Sequence, residues 1–437
     1  MKETHVVTCF LRNRGEVLLL KRSAAVGSYS DLWGGVAGHA EGDPDDAARE
    51  EIAEETGLLD ACEFVRSGES FPVADADLGT RWVVHPYLFD CERRNAETDW
   101  ETTAAEWVHP TEILGRETVP ELWTSYRRVA PTVESIRADG SHGSAYLSVR
   151  ALEVLRDDAG ALARGTDDAD ANAVEDAADG WPELSARAEE LREARPSMAA
   201  LGNRINRAMA DAADEETPAA VERAAREGVE RAVRADEEAA ENGAAEIRDQ
   251  AVLTLSRSGT VSGALSAADA AFVAESRPAC EGIGVAEQLA DGTAGDGDFP
   301  KVTVHTDAAI AHVLATERVD AVVVGADAVL PDGRVVNKTG TRGAALAAAR
   351  EGIDCYAVAA TDKIRTDDAA HLESGDPETV YDGEADVAAL NPTFDVTPAD
   401  LLSGVITERG VLDADGIGAA AAELRDLAAW RDEQGGE

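Results

Sequence analysis

Asp43-Pro44-Asp45-Asp46-Ala47-Ala48-Arg49-Glu50-Glu51-Ile52-Ala53-Glu54-Glu55-Thr56-Gly57 decides how the first third of the chain is read. Asp43 is placed to cap a helix N-terminus, and Pro44 to fill its first position, where a missing N–H is harmless. Thr56-Gly57 is a stop signal, because glycine readily takes the left-handed conformation that ends a helix. At about 100° per residue, Glu51, Glu54 and Glu55 fall within roughly a 100° arc, flanked by Ala48 and Ile52 on the side that can meet a core. Like charges three and four apart cost a bare helix about 0.2–0.5 kcal/mol per pair. A divalent cation removes that penalty, and Mg²⁺ commonly combines a few carboxylates with water and substrate phosphate oxygens. The competing reading is a solvated acidic face.

Composition keeps that alternative open. The chain has 437 residues, room for two or three domains, and a formal net charge of −46. Its only lysines are Lys2, Lys21, Lys301, Lys338 and Lys363. An acidic, alanine-rich, lysine-poor surface suits high salt, where counterions screen self-repulsion. It is the style of a salt-loving organism, and a halophilic archaeon is expected. The same charge argues against an extended nucleic-acid surface, which needs a basic face. Cys9, Cys62, Cys91, Cys280 and Cys355 are odd in number and lack metal-ligand spacing, so a reduced cytoplasm is expected rather than a disulfide framework. No signal peptide is expected, and no apolar run is long enough to span a membrane.

The surroundings of the glutamates weigh against a merely solvated face. Residues 5–12 and 16–21 read as strands joined by Asn13-Arg14-Gly15, followed by a loop around Trp33-Gly34-Gly35 and Gly38. Further strands are expected at 63–66 and 81–90, and a helix near 119–137. Gly35, Glu41, Arg49, the glutamates and Gly57-Leu58 together resemble the Nudix box: Gly, five residues, Glu, seven residues, Arg-Glu, an aliphatic, any residue, Glu-Glu, any residue, Gly, an aliphatic. Counting forward from Gly35 puts Glu41, Arg49 and Glu50 in register. Counting back from Gly57 puts Glu55, Glu54, Ile52 and Glu51 in register, so one extra residue separates the halves. An insertion within the helix would turn the first glutamate about 100° away from the others, whereas one in the loop at 42–46 is sterically easier. The metal ligands are therefore assigned as Glu51, Glu54 and Glu55, with Glu50 as the alternative to Glu51. The resemblance covers about 1–135. It implies an α/β/α sandwich with a mixed sheet, Mg²⁺ or Mn²⁺ as cofactor, cleavage of a nucleoside diphosphate derivative, Glu54 and Glu55 as catalytic groups, and Gly35 near substrate. Glu106 is either a further acid/base or a solvated carboxylate at a strand end.

The remainder reads differently. Residues 143–156 form an amphipathic pattern, 157–179 are an acidic insert, and helical patterns run from about 181 to 248. Apolar strands at 251–255, 271–274, 301–304, 320–324 and 355–359 then alternate with alanine-rich helices, the pattern of a parallel α/β sheet with ligands at the carboxyl ends of its strands. Three divisions result: 1–138, 139–248 and 249–437. In the last, Ser258-Gly259-Thr260 can offer backbone N–H groups to an oxyanion, and Arg277 can clamp phosphate. Asn337 and Lys338 add donors beside Gly340. Thr254–Thr260, Glu275-Ser276-Arg277-Pro278, Gly325-Ala326-Asp327 and Asn337–Thr341 resemble the superfamily that joins the regulatory alpha, beta and delta subunits of translation initiation factor 2B to two aldose–ketose isomerases, of methylthioribose 1-phosphate and ribose 1,5-bisphosphate. Arg195-Pro196-Ser197-Met198, Asn203, Phe394–Pro398 and Ile406–Gly410 extend the match. The resemblance implies a helical subdomain, a Rossmann-like one, a homodimer, and a pocket for a sugar phosphate or nucleotide that includes Arg257, Gly259 and Thr260. The isomerases pair a cysteine with the aspartate of Gly-Ala-Asp. Here Ser256 stands at the cysteine position and Asp327 is kept, and a serine is a far weaker acid than a thiol. Three functions follow: a Nudix-type hydrolase fused to a ligand-binding domain, a bifunctional hydrolase and sugar-phosphate isomerase, or a translation-factor-like binding protein.

Overall fold

A computed structural model describes residues 2–165, 180–292 and 301–434. Two compact units emerge: Met1–Ser135 with Leu152–Leu184 and Glu215–Val229, and Ile136–Ala151 with Ser185–Asp214 and Glu230–Glu437. The chain is a mixed α/β protein.

The first unit is built on strands β1 (Lys2–Asn13), β2 (Glu16–Arg22), β3 (Trp33–Gly34), β4 (Val36–His39), β5 (Cys62–Ser67), β6 (Phe71–Asp75), β7 (Thr80–Cys91) and β8 (Thr102–Val108), with helices α1 (Pro44–Thr56) and α2 (Leu122–Arg127). β1 runs parallel to β7 and antiparallel to β2 and β4, so the sheet is mixed. Alternation along β1 divides its side chains between two cores. Val7, Cys9 and Leu11 pack with Ala48 and Ile52 of α1, and Phe10 packs with Leu122 and Tyr126 of α2. α1 is capped as its sequence demands: the Asp43 side chain accepts from the Asp45 N–H, and Gly57 closes the helix at φ 64°. The helix is unbroken from Pro44 to Thr56.

α3 (Val133–Ala138), α4 (Ser144–Ala163), α5 (Gly180–Arg192), α6 (Ala199–Ala212) and α7 (Pro218–Glu246) form the helical middle of the chain. The second unit then alternates β9 (Ala251–Leu255), α8 (Gly259–Leu265), β10 (Ala270–Ala274), α9 (Glu281–Ala290), β11 (Lys301–His305), α10 (Ile310–Thr316) and β12 (Ala321–Val324). The short strands β13 (Ala328–Val329) and β14 (Val335–Lys338), α11 (Thr341–Glu351), β15 (Asp354–Val358), β16 (Phe394–Thr397), β17 (Gly404–Thr407), β18 (Gly410–Leu412) and α12 (Ala414–Asp426) complete it. The main sheet has the order β11-β10-β9-β12-β15-β17-β18. It is parallel apart from the β18 edge, and apolar clusters cover its two faces. β13, β14 and β16 make a separate antiparallel sheet.

Three expectations need correction. The expected helix at 119–137 is two short helices, α2 and α3, because the chain turns at Thr132, whose side chain and that of Ser135 cap each other's N–H groups. The acidic insert starts later than expected: Asp157 is fully buried within α4, which runs on to Ala163, while 166–179 lie outside the described residues. Finally, Cys62 and Cys91 form a disulfide. They are 29 residues apart in sequence, and only the register of β5 against β7 sets them opposite each other.

Candidate functional site

In the first unit, a cavity of about 650 Å³ is lined by Glu51, Glu54 and Glu55 together with Asp99, Glu101, Arg22, Tyr29, Trp82 and Trp100. Glu50 is exposed and does not line it. Glu55 is 7% exposed, and the Ala37 N–H donates to its Oε2 at 3.3 Å. Burial and then the neighbouring Glu51 push the Glu55 carboxyl up to about 8. Burial and the charges of Glu54, Glu101, Glu50 and Asp99 raise Glu51 as well. Gly38 makes room for this arrangement: a Cβ there would lie 1.6 Å from Glu51 Oε1. Gly35 has a different task. A Cβ on it would stand 2.9 Å from the Cys9 carbonyl oxygen, so it lets the loop press on β1, and it does not line the cavity. Among the described residues no three acidic, histidine or cysteine groups are gathered tightly around one point. Even so, the donors fit a hard divalent cation: they are all carboxylate oxygens, they share one cavity, and the burial of Glu55 beside half-buried Glu51 makes that pair's repulsion costly until a cation offsets it. Glu106 is exposed and pairs with Arg116 at 2.8 Å, away from this lining. Asp99, Glu101, Tyr29, Trp82 and Trp100 were not foreseen. The one local signal was a tryptophan between two acids, Asp99-Trp100-Glu101, just ahead of a strand.

In the second unit, the loops at the carboxyl ends of β9, β10 and β12 come together, as a doubly wound sheet dictates. Ser256 sits in the left-handed region at φ 62°. Its N–H donates to Ser276 Oγ at 2.7 Å. Ser276 and Arg277 donate their own N–H groups to the Asp307 carboxylate at 2.8 and 2.7 Å. The Arg277 side chain is exposed, 3.6 Å from Glu275. Gly259 and Thr260 open α8 behind the capping Ser258. Gly325 lets that loop approach, since a Cβ there would be 3.0 Å from Ser258 Oγ. Asp327 follows. Burial raises its carboxyl, opposed by Lys363 and Lys338. Lys363 is buried and donates to the Ala326 carbonyl at 2.8 Å. The remaining expected donors already have internal partners. Lys338 pairs with Glu281 at 2.6 Å, Asn337 donates to Thr341 Oγ1 at 2.9 Å, and Arg257 donates to the Ser141 carbonyl. The start of α11 is also taken, because the Gly340 and Arg342 N–H groups donate to Asp395. Glu373 was not foreseen. It accepts from Ser197 and lies 3.4 Å from Arg195.

Residues 141–414, well over half of the chain, match the model of the initiation factor 2 subunit family. The chain belongs to that family. Residues 1–132 match the NUDIX domain, so this member of the initiation factor 2 subunit family carries a NUDIX domain ahead of its family region. The methylthioribose-1-phosphate isomerase of Ectopseudomonas mendocina is 37% identical over 155 residues, 32% of this chain and 41% of the relative. A Pseudomonas aeruginosa protein of the same name is 39% identical over 125 residues, 26% of this chain and 34% of the relative. The chain thus spans about two fifths or less of the length of these curated relatives. Among solved structures, the translation initiation factor eIF-2B of Pyrococcus horikoshii matches at 26% identity with a TM-score of 0.52, covering 64% of this chain and 94% of that one. The 5-methylthioribose 1-phosphate isomerase of the same organism shares the fold at 22% identity and a TM-score of 0.52, covering 74% and 90%. Among the described residues no helix is long and apolar enough to cross a membrane.

Proposed function

We propose that the NUDIX domain hydrolyses a nucleoside diphosphate derivative with the help of Mg²⁺ or Mn²⁺, and that the family region binds a sugar phosphate or nucleotide in a cytoplasmic homodimer. The observation that carries the hydrolase reading is the meeting of Glu51, Glu54 and Glu55 on one cavity, with Glu55 buried. A bound Mg²⁺ or Mn²⁺ would be held by these three carboxylates and would supply Lewis-acid polarisation of the phosphoryl group. Glu54 and Glu55 are the groups placed to take the proton of the attacking water as its oxygen bonds to phosphorus and the diphosphate P–O bond breaks. Arg22 offers the cavity a positive charge for the phosphates.

The test is turnover of ADP-ribose by the full chain in molar KCl, with and without Mg²⁺. Metal-dependent release of AMP and ribose 5-phosphate is expected, reduced about 10²–10⁴-fold in Glu54→Gln and Glu55→Gln. Unaltered turnover in both variants rejects the ligand assignment.

A second reading, a sugar-phosphate isomerase in the family region, is favoured by Asp327, whose raised carboxyl is suited to carry a proton, and by the names of the relatives. Ser256 in place of a thiol opposes it. Conversion of ribose 1,5-bisphosphate or methylthioribose 1-phosphate to a ketose, abolished by Asp327→Asn, is its signature in NMR. Unchanged aldose in both mixtures leaves this region a binding domain.

A further inference from the structure

On the reading that Glu51, Glu54 and Glu55 act on a nucleoside diphosphate derivative, the rest of the same cavity must hold the substrate, and its charge makes that difficult. Among the described residues lining it, Arg22 is the sole arginine or lysine, facing Glu51, Glu54, Glu55, Asp99, Glu101 and Glu121. A phosphate end entering this field is repelled until cations offset the carboxylates, so affinity has to come from an uncharged part of the substrate. The wall offers one chemistry for that part. Trp82 of β7 is locked in place: its Nε1–H donates to the Tyr29 hydroxyl at 3.0 Å, and that hydroxyl donates to Asp75 at 2.7 Å. With its one polar atom engaged, the indole can offer a ligand only ring surface. Tyr29 and His39 stand beside it, with ring centroids 6.3 and 6.1 Å away. Trp100 lies on the loop that brings Asp99 and Glu101 to the cavity, and it is 67% exposed. Its ring is therefore open to a ligand that enters the cavity beside the carboxylates.

We propose that Trp82 and Trp100 hold the nucleobase of the substrate by stacking, so that base recognition is separate from the metal and phosphate chemistry of the glutamates. Two consequences follow. An uncharged nucleoside binds the metal-free protein, because stacking needs no cation. Substrates with a diphosphate but no aromatic base bind poorly and are indifferent to the tryptophans.

The experiment uses the full chain in molar KCl. Tryptophan fluorescence is titrated with adenosine in EDTA, and KM is measured in Mg²⁺ for ADP-ribose and for 5-phosphoribosyl 1-diphosphate, which lacks a base. The variants are Trp100→Leu, Trp82→Leu and Trp100→Phe. Trp100 is exposed, so its replacement spares the core even if Trp82→Leu disturbs folding. Adenosine should quench the wild-type protein and bind about 5- to 150-fold more weakly to Trp100→Leu, the effect of losing one base–aromatic stack. KM for ADP-ribose should rise by a similar factor with kcat little changed, KM for the base-free diphosphate should stay put, and Trp100→Phe should keep most of the binding. An equal rise in both KM values, or adenosine affinity identical in wild type and Trp100→Leu, overturns the proposal. If no diphosphate is hydrolysed but adenosine binding is present and weakened by the substitution, the hydrolase reading falls and the stacking site stands.

Discussion

Replacing Arg12 by methionine should destabilise the first unit far more than the loss of an ordinary surface arginine would. The guanidinium is 2% exposed. Its Nε and Nη2 donate to the two carboxylate oxygens of Asp90 at 2.6 and 2.9 Å, and its Nη1 donates to Glu153 at 3.2 Å. Glu153 is 0% exposed, whereas Asp90 is 29% exposed and can return to water. Arg12→Met therefore deprives a fully buried carboxylate of a cation, at a cost of about 3–5 kcal/mol. For a unit of this size that corresponds to a fall of roughly 6–20 °C in melting temperature. Arg12→Met combined with Glu153→Met removes both charges and substitutes apolar bulk, so it should recover most of the loss. Urea denaturation in molar KCl reads both variants. Trp33, Trp82, Trp100, Trp107, Trp123 and Trp181 lie in this unit against Trp430 in the other, so fluorescence follows the right half. A single-variant cost below about 1 kcal/mol, or a double variant as unstable as the sum of the two single changes, would refute the argument. The result bears on domain boundaries too: Arg12 falls within the NUDIX match and Glu153 beyond it, yet both belong to one compact unit.

The other predictions concern the site and the charge. Gly38→Ala places a Cβ 1.6 Å from Glu51 Oε1, the mobile end of a flexible side chain; Mg²⁺-dependent turnover should drop at least about tenfold while the melting temperature moves by no more than a few degrees, and full activity would show that Glu51 is not needed where it stands. His109 is held down to about 3 by burial and then by Arg156 and Arg226, and its Nδ1 is buried without a hydrogen-bond partner. Its ordinary value is about 6.5, so below pH 6.5 the unfolded chain binds a proton that the folded one refuses, and stability falls as pH drops from 6.5 toward 3. At pH 5, after allowance for solvent screening, His109→Asn should remove roughly 1 kcal/mol of that acid sensitivity, and parallel pH–stability curves for both proteins would contradict this. With a net charge of −46, denaturation midpoints should climb between 0.1 and 2 M KCl as the screening length shrinks from about 10 Å to below 3 Å; a flat response would remove the reason for reading the composition as an adaptation to salt.

Local chemistry was legible in the sequence, and long-range chemistry was not. Asp43, Pro44 and Gly57 act within one helix, so their roles could be read from position alone, and the structure caps the helix as they require. The strands at 251–255, 271–274, 320–324 and 355–359 were visible because buried parallel strands are continuous apolar runs, the exposed edge strand at 301–304 showed instead as alternating valines, and each reappears within a residue or so of its expected bounds. Cys62 with Cys91, Lys338 with Glu281, and Glu373 with Ser197 are contacts that only tertiary pairing creates. No period or spacing announces them. Trp82 and Trp100 were hidden for the same reason: one reads as an ordinary strand residue and the other as a loop residue until the fold places both on one cavity.

The acidic background that made Glu51, Glu54 and Glu55 ambiguous also supplies a control for them. At the opposite end of the parallel sheet from its ligand-side loops, Glu246, Asp249, Asp320 and Asp354 border a second hollow. All four are exposed, so water screens them and their grouping costs the fold little. The glutamates of α1 are different, since Glu55 is buried against Glu51 and its carboxyl is driven up to about 8. Adaptation of a surface to salt would account for carboxylates that face solvent. It gives no reason to bury one beside another, because burial weakens the hydration and screening that make an acidic surface tolerable. The glutamate helix is therefore distinguished by the cost of its arrangement rather than by its charge, a cost that the proposed cation would offset.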